Sequence, residues 1–254
     1  MILTRVVPSA HNAERIDLGE GHALEALAAL YTPPRPEWLR LNLVSSVNGS
    51  ATGGDGTSDS LTNRADRTIL RAIRSLADVV LVGAASVRAE GYHLPKNSRL
   101  AILTGTGDLD GHKVRGDVEP GRLLVICPAA AVARAEASLD GLAAEIIVVD
   151  DVGARIAPTD VIARLRDRGL AHIVCEGGPS LAGQLLDADV VDELCLSTGP
   201  VITSAQLPLL GGAGVADRRL DLSQLLMDDA SGLYARWLVP RPAAGQPATG
   251  RSGL

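Results

Sequence analysis

Short apolar runs rich in β-branched residues alternate with helix-forming segments rich in Ala, Leu and Arg from about residue 38 onward. Strands that alternate with helices of about 10 to 15 residues build parallel sheets covered by helices on both faces. The runs 79–82 and 145–149 are almost continuously apolar, as expected of strands at the centre of such a sheet. The alternation therefore predicts an α/β fold with a mostly parallel central sheet.

The pattern predicts strands at 39–47, 79–82, 100–103, 123–127, 145–149, 172–175, 193–197 and 233–239. It predicts helices at 23–31, 64–76, 130–139, 159–168 and 180–190. The last two strands have no clear helix between them, and the turn residues Gly211-Gly212 and Ser231-Gly232 lie in the intervening segment. This arrangement predicts an antiparallel edge formed by the C-terminal part of the chain.

Both ends of the chain differ from the alternating pattern. Residues 1–37 contain one short helical segment, which Pro33-Pro34-Arg35-Pro36 ends, and we expect an N-terminal extension. Residues 241–254 are rich in Pro, Gly, Ala, Ser and Thr without periodicity, and we expect a disordered tail. Residues 38–240 then form one domain, since α/β domains of this length are common.

Composition and charge limit the classes of function. The chain of 254 residues has a net charge of -6 and a pI near 5.4, which argues against general binding to nucleic acid or anionic membranes. We recognise no signal peptide and no apolar run of the ~18 residues that a membrane span needs, so we expect a cytoplasmic protein. Cys127, Cys175 and Cys195 lie far apart in apolar contexts, which predicts buried free thiols and no metal site.

One segment points to an anion-binding site. The apolar run 173–175 is followed by Glu176-Gly177-Gly178-Pro179-Ser180-Leu181, which opens a helical segment. Glycines let a ligand approach the backbone, proline suits the first position of a helix, and the N–H groups of a helix N-terminus attract anions. We expect a phosphorylated ligand to bind there.

The end of the first predicted strand is a second candidate. Side chains alternate across a sheet, so Asn42, Ser46 and Asn48 share one face, and they lead into a loop, 49–60, rich in Gly, Ser and Thr. Two interpretations stay open. The segment is either an edge strand with a flexible surface loop, or a mobile loop at the strand end where open α/β sheets bind ligands.

The helix after this loop carries four arginines, three or four residues apart, on one face. They are Arg64, Arg67, Arg71 and Arg74. Such a row is usually a solvated stripe, here partly balanced by Asp66 and Asp78. A single arginine at the end of the row is able to clamp a phosphate bidentately, and Arg74 is the candidate.

Four blocks in this order resemble a known enzyme family. They are Ser45-Ser46-Val47-Asn48-Gly49, the segment 77–87, Glu176-Gly177-Gly178, and the segment 191–196 that leads to Gly199-Pro200. Over residues 38–239 the chain resembles the reductase domain of riboflavin biosynthesis, which has the dihydrofolate-reductase-like fold. The resemblance implies NADPH-dependent reduction of the ribosyl group of a 5-phosphoribosylamino-pyrimidine to its ribityl counterpart.

The resemblance also implies roles for particular residues. Residues that match cofactor positions are Ser45, Ser60, Ser86, Glu90, Thr104, Gly105, Thr106, Gly177, Gly178, Pro179, Ser180 and Leu181, within a turn that continues to Gln184. Residues that match substrate positions are Asn42, Asn48, Ser58, Arg74, Leu94 and Glu176. Asn48 and Glu176 are expected to position the sugar for catalysis, and Arg74 to hold the phosphate. The hydride chemistry itself belongs to the nicotinamide.

The chain departs from the family's pattern in places. Ser46-Val47-Asn48-Gly49 stands where the family has Ser-Leu-Asp-Gly, and an amide is no general acid or base. Glu90-Gly91-Tyr92 stands where the family has Asp-Asp-Pro. Bifunctional members carry a zinc deaminase with a Pro-Cys-x-x-Cys motif, and since residues 1–37 contain no cysteine we expect no deamination.

These departures leave two alternatives open. The first keeps the cofactor but changes the substrate to another heterocycle, such as dihydrofolate. The second is a non-catalytic NADP-binding sensor, because the aspartate is lost at Asn48. The resemblance to the family and the antiparallel edge of the sheet both favour a homodimer.

Overall fold

The computed structural model describes residues 1–8, 14–115, 118–152, 155–211 and 216–240. The strands are β1 (Ile2–Val7), β2 (Arg15–Asp17), β3 (Trp38–Ser46), β4 (Val79–Gly83), β5 (Tyr92–His93), β6 (Arg99–Leu103), β7 (Val114–Arg115), β8 (Leu123–Pro128), β9 (Glu145–Val149), β10 (Asp151–Val152), β11 (Arg155–Ile156), β12 (His172–Cys175), β13 (Glu193–Gly199), β14 (Asp221–Asp228) and β15 (Leu233–Leu238). The α-helices are α1 (Ala23–Tyr31), α2 (Arg64–Ser75), α3 (Ala84–Ala89), α4 (Val132–Ser138), α5 (Pro158–Arg166) and α6 (Pro179–Asp187).

One large sheet organises these elements. Its order is β2-β1-β14-β15-β13-β3-β12-β4-β6-β8-β9. The strands from β13 to β9 in this order are mutually parallel, and β15, β14, β1 and β2 continue the sheet in antiparallel fashion. The predicted α/β fold, with a parallel centre and an antiparallel C-terminal edge, is confirmed.

Helices cover both faces of the sheet, as predicted. On one face α5 and α6 pack against β3, β12 and β4 through an apolar core that includes Leu41, Leu81 and Leu185. On the other face α1 and α2 pack over the antiparallel strands and β12, and α3 and α4 pack over β4, β6 and β8. The parallel strands inside the sheet are therefore buried on both sides, which explains their continuous apolar sequences. The expectation that the run 145–149 lies at the centre is wrong, because β9 forms an edge of the sheet and Val148 is 46% exposed.

Helix α2 follows from its sequence pattern. Its apolar stripe, Ala65, Ile69 and Ile73, is buried against the sheet, while Arg64, Arg67 and Arg71 are exposed. The side chain of Asn63 caps the N-terminus by accepting the backbone N–H of Asp66 at 3.0 Å. The predicted solvated stripe is thus confirmed for three of its four arginines.

The predicted strands and helices agree with the structure to within a few residues, but the two-residue strands β5, β7, β10 and β11 and four longer elements were missed. Strands β1 and β2 pair at the outer edge of the sheet, so the expectation that residues 1–37 hold only a helix is wrong. These strands are short and mostly half-exposed. Their sequences therefore show no clear alternation of apolar and polar residues from which a strand could be predicted. Strand β14 and the six-residue helix α3 were missed as well.

Other expectations have mixed outcomes. The three cysteines are free and buried, and burial raises the pKa of Cys175 to about 12. Among the described residues no helix is long and apolar enough to cross a membrane. The expected disordered tail, residues 241–254, lies outside the described part of the chain. The domain boundary at residue 38 stays a prediction.

Candidate active site

The site is built where parallel strands end. Cys175, the last residue of β12, aligns with Leu41 of β3 on one side and with Leu81 of β4 on the other. Glu176 continues this pairing, because its N–H donates to the Leu81 carbonyl at 3.0 Å. Ligands of open α/β sheets bind at such carboxyl ends of strands, which places Glu176 at the expected location.

The glycine turn after Glu176 forms a close backbone contact with the neighbouring strand. The N–H of Gly83 donates to the Gly177 carbonyl at 2.9 Å, and the Gly177–Gly178 peptide bond is cis. Gly177 has a φ of +104°, which favours glycine. A Cβ added to Gly178 would lie 3.1 Å from Ser86 Oγ, so the glycine allows Ser86 to approach the turn.

The turn leads directly into α6. Gly178 is the N-cap residue, Pro179 is in the first turn, and no side chain caps the helix. The first N–H groups of a helix have no partners within the helix, and they are suited to bind an anion. The Ser180 hydroxyl accepts a hydrogen bond from Gln184 at 3.0 Å, and the Leu181 side chain is buried, so Leu181 offers a ligand only its backbone.

Arg74 and Glu176 form the principal ion pair of the site. Arg74 Nε and Nη2 donate to Glu176 Oε1 and Oε2, each at 2.6 Å, and the two side chains are 24% and 7% exposed. Burial alone would lower the pKa of Arg74, but the Glu176 charge outweighs this and raises it. Two residues predicted to contact substrate are thus brought together, with the guanidinium already occupied by a carboxylate.

Tyr92 completes this side of the site. It is buried, and burial together with the charges of Glu176 and Glu90 raises its pKa well above the usual value. Glu90 in turn accepts the backbone N–H of Ser58 at 2.9 Å. The segment that departs from the family's Asp-Asp-Pro therefore joins the loop before α2 to the Arg74–Glu176 pair.

A match to a family model decides the family. The model of the RibD C-terminal domain matches residues 37–231. The chain belongs to the RibD C-terminal domain family. The predicted resemblance is confirmed, and the match covers the strands and helices that form the site.

Relatives and solved structures agree with this assignment. The riboflavin biosynthesis protein RibD of Mycobacterium tuberculosis is 27% identical over 220 residues, which are 81% of this chain and 57% of that protein. The chain thus spans little more than half the length of the curated relatives it matches.

The solved structures support the fold. A pyrimidine reductase-like protein from Corynebacterium diphtheriae is 24% identical, with a TM-score of 0.69 over 86% of this chain and 99% of that one. A riboflavin biosynthesis reductase from Saccharomyces cerevisiae is 15% identical, with a TM-score of 0.61 over 85% of this chain and 97% of that one. Both likenesses show the same α/β architecture.

Asn48, where this chain departs from the RibD family's aspartate, has a structural partner. Its Nδ2 donates to the Thr203 carbonyl at 2.9 Å, and its Oδ1 accepts the Thr203 N–H at 3.2 Å and the Ser46 hydroxyl at 2.8 Å. The amide therefore fastens the end of β3 to the segment after β13. An aspartate would lack the donor for the carbonyl. The catalytic role of Asn48 stays a prediction.

The remaining predicted residues lie around the same end of the sheet or on its loops. Ser45 is buried in β3, and Asn42 projects to the side of α2 by the alternation of side chains. Leu94 is half-buried against the core beneath β5. The Ser60 hydroxyl donates to Asp55 at 2.8 Å, which shapes the loop before α2.

The Thr104-Gly105-Thr106 segment forms a turn after β6. The hydroxyls of Thr104 and Thr106 accept the N–H groups of Gly107 and Asp108, at 3.0 and 3.3 Å. Both hydroxyls therefore stabilise the turn, and their cofactor contacts stay a prediction. The described residues include no group of three or more His, Cys, Asp or Glu able to hold a metal ion.

One acidic residue of α2, Asp66, is buried although the sequence pattern places it in solvent. Asp66 is only 9% exposed, and burial raises its pKa. The sequence interpretation places Asp66 with the solvated arginine row. The signal was present in the sequence, because Asp66 has the spacing of the apolar stripe that contains Ile69 and Ile73.

Proposed function

We propose that the protein is a pyrimidine reductase of the riboflavin-biosynthesis type that uses NADPH to convert the ribosyl group of a 5-phosphoribosylamino-pyrimidine into ribityl. The single observation that carries this proposal is the Glu176-Gly177-Gly178 turn, which joins an ion pair for the substrate side to an uncapped helix N-terminus for the cofactor. Membership of the RibD C-terminal domain family supports it.

The residues present fit a nicotinamide dinucleotide. Gly178 and Ser86 lie close together beside the first turn of α6, because a Cβ on Gly178 would lie 3.1 Å from Ser86 Oγ. Backbone N–H groups of this turn would hold the pyrophosphate. When bound, the nicotinamide supplies a hydride to the sugar carbon C1′. Glu176, fixed by Arg74, would orient the sugar hydroxyls.

Arg74 is proposed to act on the substrate through Glu176 as well as directly. Its two inner donors are occupied by the carboxylate, and a guanidinium has five donors in all, so others remain for a phosphate. This geometry supports a revised role in which Arg74 links the carboxylate that orients the sugar to the phosphate at its far end.

The test is turnover measured by the absorbance of the reduced nicotinamide. We expect NADPH to be oxidised in the presence of 5-amino-6-(5-phosphoribosylamino)uracil and not in the presence of dihydrofolate. NADH is the comparison cofactor and should be used more slowly. Turnover of dihydrofolate alone would favour the other-heterocycle reductase. Tight NADPH binding without oxidation by either compound would favour the sensor.

We also propose a cytoplasmic homodimer. Met227 and Leu233 are cross-strand neighbours in β14 and β15, and they are 43% and 39% exposed, while Val6 in β1 is 39% exposed. Apolar side chains that are exposed together on neighbouring strands of a sheet favour contact with a second copy. Light scattering should then give a mass of twice 26.3 kDa, and a mass of 26.3 kDa would contradict the dimer.

A further inference from the structure

The segment 201–211, which we call the strap, follows β13 and runs across the carboxyl ends of β13, β3 and β12. It starts beside the end of β3, where the Val47 N–H donates to the Val201 carbonyl at 2.9 Å. It ends at the first turn of α6, where the Gly211 N–H donates to the Pro179 carbonyl at 2.9 Å. The strap therefore lies over the edge at which open α/β sheets bind ligands, and it contacts the turn that is proposed to hold the cofactor.

Hydrogen bonds, rather than buried side chains, hold residues 201–208 of the strap. Six of these residues are exposed, among them Ile202 at 80%. The Asn48 side chain donates to the Thr203 carbonyl at 2.9 Å and accepts the Thr203 N–H at 3.2 Å. An asparagine amide satisfies both backbone groups of Thr203, whereas an aspartate would satisfy only the N–H. Asn48 is therefore the side chain that anchors the strap to the end of β3.

The other end of the strap approaches the N-terminus of α6 closely. A Cβ added to Gly211 would lie 3.2 Å from the Ser180 nitrogen and 3.3 Å from the Pro179 carbonyl carbon. The first hydrogen bond of the helix runs from the Ala182 N–H to the Gly178 carbonyl at 3.1 Å, so the Ser180 N–H precedes the helical ladder. An oxyanion bound to this N–H would lie about 2.7–3.2 Å from the nitrogen. A side chain at position 211 would occupy the same space.

The opposite flank of this helix N-terminus is also kept narrow by a glycine. A Cβ added to Gly178 would lie 3.1 Å from the Ser86 hydroxyl of α3. Neither Gly178 nor Gly211 has a φ in the left-handed region, so the backbone conformation does not require glycine at either position. Close approach does require it. Two segments far apart in the sequence, α3 and the strap, thus face the same N–H groups across a glycine.

We propose that the strap is a wall of the cofactor site, in which Gly211 leaves the Ser180 N–H open to the pyrophosphate of NADPH and Asn48 is the positioning residue that holds the strap there. The inference rests on the proposed function, which supplies the dinucleotide. It gives Asn48 a role through Thr203 and the strap, away from the reacting atoms. The amide at position 48, where the RibD family has aspartate, is then the group that a two-bond anchor needs.

The first test is the affinity of Gly211→Ala for NADPH, measured by titration of the nicotinamide fluorescence without substrate. We expect the Kd to rise roughly tenfold, because the loss of one hydrogen bond to a charged group has about this effect. Gly21→Ala is the matched control, since a Cβ on Gly21 meets no atom within 4 Å. It should bind NADPH as the wild type does. An unchanged Kd in Gly211→Ala would overturn the role of Gly211.

A second ligand separates a local effect from general damage to the site. Adenosine 2′-monophosphate has the adenosine and 2′-phosphate of NADPH but no pyrophosphate. Gly211→Ala should therefore leave the affinity for adenosine 2′-monophosphate unchanged. If both ligands were weakened by the same factor, the methyl group would act by distorting the whole site, and the proposed contact with the pyrophosphate would be wrong.

The anchor is tested with Asn48→Asp, which removes the donor to the Thr203 carbonyl. We expect a higher Kd for NADPH and faster hydrogen exchange of the Thr203 amide. Asn97→Asp makes the same change at an exposed asparagine in the loop before β6, and it should leave both quantities unchanged. A rise in kcat of Asn48→Asp with an unchanged Kd would overturn the anchor role, because residue 48 would then act on the reaction itself.

The outcomes separate this inference from the proposed function. If the wild type reduces the pyrimidine phosphate with NADPH while Gly211→Ala and Asn48→Asp bind NADPH as tightly as the wild type, only the role of the strap is overturned. If the wild type does not bind NADPH, the proposed function and the role of the strap fail together.

Discussion

Replacing Glu176 with glutamine is expected to lower kcat/KM roughly 100-fold, since a shift of about an ångström in substrate position costs a factor of this order. Glutamine has one acceptor oxygen, and its NH2 group would face the guanidinium of Arg74, which now donates to both carboxylate oxygens at 2.6 Å. The steady-state rate of NADPH oxidation with the pyrimidine phosphate measures this loss.

A charge-swapped double variant separates structure from function in this pair. Arg74→Glu combined with Glu176→Arg restores an ion pair but exchanges the positions of the two charges. We expect part of the thermal stability lost in either single variant to return, while activity stays at the level of Glu176→Gln. Recovery of turnover in the swapped variant would show that the pair serves only to hold the fold together.

Replacing Glu193 with glutamine is expected to destabilise the protein by about 3–5 kcal/mol, the usual cost of breaking a buried ion pair by removing one partner. Glu193 is fully buried and accepts hydrogen bonds from Arg40 at 2.9 Å, from Trp38 at 2.7 Å and from Arg236. Two guanidinium groups, from strands on either side of β13, would lose their counter-charge. Denaturant unfolding measures the change.

The expected loss has a structural consequence at α1. Arg40 and Arg236 also donate to the carbonyls of Tyr31 and Leu30, so the cluster binds the C-terminal end of α1 to the sheet. We therefore expect hydrogen exchange of α1 to increase first in Glu193→Gln. This region contains none of the residues proposed to bind substrate or cofactor.

The pH dependence of this effect follows from the sign of the pKa shift. Burial alone would raise the pKa of Glu193, but Arg40 and Arg236 outweigh it, and the pKa is lowered. The stability from Glu193 is therefore present above the ordinary glutamate pKa and is lost as pH falls through the folded value. The difference between wild type and Glu193→Gln should accordingly shrink in acid.

Glu145→Gln is the matched control, because Glu145 pairs with Arg168 at 2.9 Å and the two side chains are 42% and 32% exposed. An exposed pair contributes about 0–1 kcal/mol. If Glu193→Gln were no more destabilising than Glu145→Gln, the buried cluster would not hold α1 in the way described here.

The residues that were predictable from sequence are those whose local pattern fixes their structure. The apolar run 173–175 followed by two glycines and a proline determines a strand, a tight turn and a helix start within a few residues. The parallel strands were found for the same reason, since each contains a short apolar run, although the run in β9 did not reveal that this strand lies at the edge of the sheet.

What was missed depends on contacts between distant residues. Asn48 forms hydrogen bonds with Thr203, and β1 pairs with β14. Both contacts join residues that are far apart in the sequence, so no local sequence pattern predicts them. Asp66 was assigned to the solvent because charged residues usually lie there. Its burial depends on the packing of α2 against the sheet, which brings distant segments of the chain together.

The most direct test of the proposed function is the fate of a deuterium label. The protein would be incubated with NADPH deuterated at the transferable position of the nicotinamide and with 5-amino-6-(5-phosphoribosylamino)uracil, and the product would be analysed by mass spectrometry and NMR. The account predicts one deuterium at C1′ of a ribityl chain. Unlabelled product, or label transferred only to dihydrofolate supplied in its place, would contradict it.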